Sequence, residues 1–117
     1  MLKHLSIKEK KALEEFKKTL LKEFGREILE LRIFGSKARG DFKKTLNMGE
    51  MSDTDVFVIL KKTSLKKEDL IFKITTDVLL KYGVDISIKI FSEKEYREKL
   101  NLQVPFFLII QKEGVSL

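Results

Sequence analysis

The segment Thr54–Leu60 reads TDVFVIL, and from Val56 onward every residue in it is apolar. A strand that is apolar on both faces belongs in the middle of a sheet, with cover above and below. On either side of this segment the sequence alternates between helical and strand periodicity. That alternation predicts an α/β fold.

The other elements follow from local pattern. Ser6 and Glu9 form a capping-box pair opening a helix to Phe24, with Gly25 as its stop. Ile7, Leu13, Phe16, Leu20 and Phe24 are expected on its buried face. A first strand is expected over Leu29–Phe34, with Leu29, Leu31 and Ile33 on one side. Gly35-Ser36 ends it and is expected to open a short helix, and Lys43 to Met51 is expected to be a loop. Leu65–Tyr82 reads as a helix with Ile71, Ile74, Val78 and Tyr82 on one stripe. Val84–Phe91 reads as a third strand, with Ile86, Ile88 and Ile90 opposite Asp85, Ser87 and Lys89. Ser92 and Glu95 make a second capping box, for a helix to about Leu100. Pro105 suits the first turn of a last helix, and Gly114 its end.

A length of 117 residues fits one domain, residues 1–117, with a modest core. With 43% hydrophobic residues the chain is too apolar to be intrinsically disordered. The absence of cysteine excludes a disulfide framework and a thiolate zinc site. The N-terminus lacks the apolar core of a secretory signal, and Val104 to Ile110 is far too short to span a bilayer. These features fit a cytoplasmic protein with no membrane association.

The net charge of +6 is read first as a lysine-coated surface. An acidic protein partner and a nucleic acid are the sharper readings. Lys supplies 20 of the 24 basic residues, and the scarcity of Arg argues against nucleic acid. Abundant Lys and Glu also hint at a thermophilic source.

Two clusters carry candidate chemistry. Asp53 and Asp55 stand two apart at the mouth of the second strand, so strand geometry puts both on one face. Asp85 opens the third strand on its polar side. If the two strands are neighbours, three carboxylates converge. Two unit charges about 4 Å apart repel by about 4 kcal/mol at an effective dielectric near 20. Protonation, a basic side chain or divalent cations must offset this, and an open set of oxygen ligands suits Mg²⁺. The alternative is a solvated pair of carboxylates at a turn.

The second cluster is Gly35-Ser36-Lys37-Ala38-Arg39-Gly40. Gly35 permits a sharp turn and close approach to a ligand. Ser36 offers a hydroxyl and an N–H where a helix would start, and Arg39 would share its face. That is either a triphosphate cradle or a plain strand-to-helix turn capped by Ser36. It is not a Walker A loop, because Asp41 and Phe42 stand where Lys and Ser/Thr are required. Four further residues carry readings of their own. His4 reads as a surface residue. Lys89 reads as either a phosphate contact or a carboxylate partner. Phe106 and Phe107 read as core, with a partner surface as the alternative.

Taken together, GSKARG, SDTDVFVIL and VDISIKI resemble the nucleotidyltransferase superfamily that includes DNA polymerase beta, and in particular its minimal prokaryotic members. The ending from Pro105 through Val115 resembles theirs too, so the likeness runs from about residue 28 to 117. The resemblance implies a mixed β-sheet flanked by helices. It implies Gly35, Ser36 and Arg39 as triphosphate contacts, and Asp53, Asp55 and Asp85 as Mg²⁺ ligands and catalytic carboxylates. It implies ATP as substrate, with an acceptor hydroxyl attacking the α-phosphate. The sixteen residues between Ser36 and Asp53 are more than the family commonly has, with the excess near Lys44 to Met51. A longer loop costs little closure entropy, and it could cover the nucleotide, contact a partner or do neither.

Larger relatives carry an extra domain that recognises the acceptor. Here recognition is expected to come from a second copy of the chain or from another protein. The resemblance implies a helical HEPN-type partner in a toxin–antitoxin pair, silenced by adenylylation. Two other readings stay open: a non-catalytic antitoxin acting by contact, and transfer to a small molecule or an RNA end.

Overall fold

A computed structural model describes residues 5–34 and 54–117. The expectations for His4, the Gly35–Gly40 turn, the Lys43 to Met51 loop and Asp53 fall outside those residues.

The order of the described elements is helix α1 (Ile7–Phe24), strands β1 (Ile28–Phe34) and β2 (Thr54–Leu60), helix α2 (Leu65–Tyr82), strand β3 (Ile86–Ser92), helices α3 (Glu93–Asn101) and α4 (Pro105–Glu113), and the short strand β4 (Val115–Ser116). A 3-10 turn over Gly25–Glu27 joins α1 to β1. The sheet order is β3-β2-β1-β4. β1 runs antiparallel to both β2 and β4, whereas β2 and β3 are parallel. The fold is therefore a mixed four-stranded sheet flanked by helices, with the doubly apolar β2 inside it.

Alternation along β2 splits the interior into two layers. Val56, Val58 and Leu60 face one side, where they meet Leu13, Phe16 and Leu20 of α1 and Ile71, Ile74 and Val78 of α2. Phe57 and Ile59 face the other, under Tyr96 of α3 and Phe107 and Ile110 of α4. The second layer is aromatic. Phe57 stacks on Tyr96 at 6.1 Å and meets Phe34 edge-on at 6.2 Å. Phe91 contacts Phe107 at 4.7 Å. Burial, and to a lesser extent the charge of Glu30, pushes the Tyr96 phenol above its ordinary pKa.

Local chemistry sets the helix ends. Both capping boxes form, Ser6 with Glu9 and Ser92 with Glu95. Ser64 caps α2 by accepting the Lys67 N–H. Gly83 closes α2 at φ 70°, a left-handed conformation that a side chain would strain. Gly114 is required by space instead, since a Cβ there would lie 2.6 Å from the Ile110 carbonyl oxygen. Across the α1–α2 seam, Glu15 accepts from Lys81 at 2.7 Å and from the Tyr82 hydroxyl at 3.0 Å. The Lys81 hydrogen bond, chiefly, holds the Glu15 carboxyl below its ordinary pKa. Its contribution is present above the ordinary carboxylate range and is lost as pH falls through the lowered value.

Three expectations need correction. Leu29 is exposed, because the β1–β2 register shifts between Ile28 and Glu30. The extra residue of this bulge reverses the alternation, and Ile28 packs on the core instead. Ile7 is 75% exposed. At about 100° per residue it sits some 240° round the helix from Leu13, off the buried face. Phe107 is buried as expected, but Phe106 stays 37% exposed at the edge of the aromatic layer.

Candidate functional site

The strand register brings two of the three expected carboxylates together. β2 and β3 are parallel, so both begin at the same end of the sheet. Asp55 pairs with Ser87, and Asp85 lies two residues before Ser87. Side chains two apart share a face, so Asp55 and Asp85 project from the same side, diagonal neighbours across adjacent strands. Strand spacing and rise put their Cα atoms about 8 Å apart.

Asp85 precedes β3 but is fixed to the sheet. Its carbonyl oxygen accepts the Thr54 N–H at 3.0 Å, continuing the parallel ladder one residue beyond the strand. Both carboxylates are half-buried. Their face is that of Phe57 and the aromatic layer. Ser87 and Lys89 follow Asp85 on this side, Ser87 half-buried and Lys89 exposed. Lys89 forms no ion pair with a described carboxylate, so the pairing reading for it gains no support among the described residues.

The third strand at this end is β1, arriving antiparallel with its last residue, Phe34, paired to Asp55. Phe34 is the residue to which Gly35 is bonded. The chain that continues into Gly35, Ser36 and Arg39 therefore departs from a point beside Asp55. Those three residues and Asp53 lie outside the described residues. No group of three His, Cys, Asp or Glu side chains suited to a metal ion occurs among the described residues.

The donor set fits a hard divalent cation. Asp55 and Asp85 present carboxylate oxygens, the neighbouring Ser87 a hydroxyl, and no sulfur or imidazole stands among the paired strand residues around them. The separation is short enough for two carboxylates to converge on one ion or to flank a pair.

Sequence reasoning missed one part of this end of the sheet. Thr54, between the acidic positions, is wholly buried, and its hydroxyl donates to Glu9 of α1 at 3.4 Å. Glu9 was legible only as a capping residue, because nothing local in the sequence signals a contact across 45 positions.

No described helix is long and apolar enough to cross a membrane. The Nucleotidyltransferase domain family matches residues 13–110, which include β1, β2, α2, β3 and α3. Two proteins of Methanocaldococcus jannaschii are similar, both carrying the provisional name protein adenylyltransferase. MJ0604 is 33% identical over 93 residues, covering 80% of this chain and 83% of its own. MJ0141 is 34% identical over 109 residues, covering 90% of this chain and 94% of its own.

Proposed function

Given that this chain belongs to the nucleotidyltransferase domain family, we propose that it transfers AMP from ATP to a hydroxyl of a partner protein. The observation that carries this reading is the placement of Asp55 and Asp85 on one face, at the shared starting end of two parallel strands. The provisional names of the two archaeal relatives support a protein as the acceptor.

In this reading Asp53, Asp55 and Asp85 hold Mg²⁺, and Gly35, Ser36 and Arg39 hold the triphosphate. Bound Mg²⁺ supplies charge neutralisation for the phosphates and for the departing pyrophosphate. Asp85 orients the acceptor hydroxyl and takes its proton. The hydroxyl oxygen forms a bond to the α-phosphorus. The bond from that phosphorus to the bridging oxygen breaks, and pyrophosphate leaves with the electron pair. The partner that fits the family resemblance is a HEPN-type toxin, which the transfer would silence. A second copy of the chain is the other candidate for presenting the acceptor.

The test is incubation with Mg²⁺ and ATP labelled at the α- or the γ-phosphate, with and without the product of the adjacent gene. The expected result is label on the partner from the α position alone. Tight binding of the pair with no label would support neutralisation by contact. Label on RNA or a small molecule, with the partner absent, would move the acceptor to another class.

A further inference from the structure

Thr54 makes two contacts that meet at the carboxylates. Its N–H holds the Asp85 carbonyl at 3.0 Å, and it is bonded directly to Asp55. Its side chain points to the opposite face of the sheet from Asp55 and is fully buried. A buried hydroxyl needs a partner, and this one donates to Oε2 of Glu9 at 3.4 Å.

Glu9 is committed at its other oxygen. Oε1 accepts the Ser6 N–H at 3.0 Å, while the Glu9 N–H donates to Ser6 Oγ at 3.1 Å. Capping α1 occupies only one of the two carboxylate oxygens, and the second reaches the start of β2. A single side chain thus spans the first turn of α1 and the buried face of the residue next to Asp55. The capping box fixes the rotamer of Glu9, which lets a side chain acting across 45 positions hold β2 in place.

We propose that Glu9, acting through Thr54, is a positioning residue that sets Asp55 and Asp85 relative to each other. Neither Glu9 nor Thr54 touches the substrate in this account. The inference rests on the reading of those carboxylates as the transferase site. It predicts an effect on chemistry larger than the effect on stability. Displacements of about 1 Å far from the reacting atoms cost up to about 10²-fold in rate.

The variants are Thr54→Val, which keeps the shape and removes the donor, and Thr54→Ser, which restores it. Ser92→Ala serves as a control. It removes the N-cap hydroxyl of α3, at the far end of β3, and lowers stability without touching this network. The readouts are the kcat of label transfer, KM for ATP, the Mg²⁺ concentration giving half the maximal rate, the thermal midpoint, and amide exchange at position 54. Thr54→Val is expected to lower kcat by about 10- to 100-fold and to raise the Mg²⁺ requirement. It is also expected to speed exchange of the residue 54 amide at least tenfold. Thr54→Ser should recover most of the rate. Ser92→Ala should lower the thermal midpoint and leave kcat unchanged.

Wild-type kcat, Mg²⁺ dependence and amide exchange in Thr54→Val would overturn the proposal. A drop in kcat no larger than that in a Ser92→Ala protein of equal stability would overturn it too. Failure of the transferase reading looks different, since the wild-type protein would then transfer no label. In that case faster exchange at position 54 in Thr54→Val upholds the tether, and unchanged exchange refutes it.

Discussion

Asp55→Asn is expected to abolish the proposed nucleotidyl transfer, with the rate falling by at least about 10²- to 10³-fold, the size of effect that follows when charge stabilisation of several kcal/mol is removed from a reacting centre. The substitution keeps the size and polarity of the side chain and removes its negative charge. Asp55 is half-buried beside Phe34 and Ser87, so the amide occupies the same space. Little stability is at stake, because the layer beneath is built by Phe57, Ile59, Tyr96, Phe107 and Ile110. The thermal midpoint should stay within a few degrees of wild type. Asp85→Asn should behave alike in rate, because its carbonyl oxygen, not its side chain, takes the Thr54 N–H. Steady-state rates together with thermal melts of both variants check this. A folded Asp55→Asn protein retaining more than a tenth of the wild-type rate would remove the carboxylate pair from the chemistry. Retention of partner binding by an inactive variant is expected, since the substitution leaves the rest of the surface unchanged.

Phe57→Ala has the largest expected effect on stability. Phe57 is fully buried at the centre of β2. Its ring stacks on Tyr96 and meets Phe34 and Phe91 at 6.2 and 6.4 Å. No single rotamer change fills the space it leaves, because its neighbours come from three other elements: β1, β3 and α3. Truncation of a buried Phe costs about 3–5 kcal/mol, and the lost aromatic pairs place this site toward the upper end. For a chain of this length that lowers the thermal midpoint by about 10–20 °C. It is a large part of the roughly 5–15 kcal/mol that such proteins have. Phe106→Ala, at a ring 37% exposed on the rim of the same layer, should cost far less. Denaturant unfolding of the two variants gives the comparison. A loss below about 1 kcal/mol for Phe57→Ala would mean that the aromatic layer contributes little to the fold.

The sheet was legible in the sequence because its strands carry strong, short-range signals. Thr54–Leu60 and Leu65–Tyr82 have the bounds read from periodicity alone, and both capping boxes are local to four residues. The resemblance supplied the mixed sheet, which the β1–β2 and β2–β3 pairings show. Leu29 was misread because a bulge adds a residue, and alternation counted along one strand cannot register it. Ile7 was misread because it was counted into the helical spacing of Leu13, Phe16, Leu20 and Phe24, although it stands about 240° round the helix from Leu13. Of the candidate site, the convergence of Asp55 and Asp85 on one face was legible once β2 and β3 were taken as neighbours. The Glu9–Thr54 contact was not, since it depends on how α1 packs against the sheet, which no spacing encodes.

The central claim, that the starting ends of β2 and β3 receive the metal nucleotide, is tested most directly by paramagnetic broadening. Mn²⁺ would replace Mg²⁺ in the presence of ATP, with amide resonances followed along both strands. The account predicts that Thr54, Asp55 and the amides from Val84 to Ser87 broaden first. Leu60 and Ser92, paired at the other end of the sheet, should stay sharp. Broadening centred on Leu60 and Ser92, or spread evenly over the surface carboxylates, would contradict it.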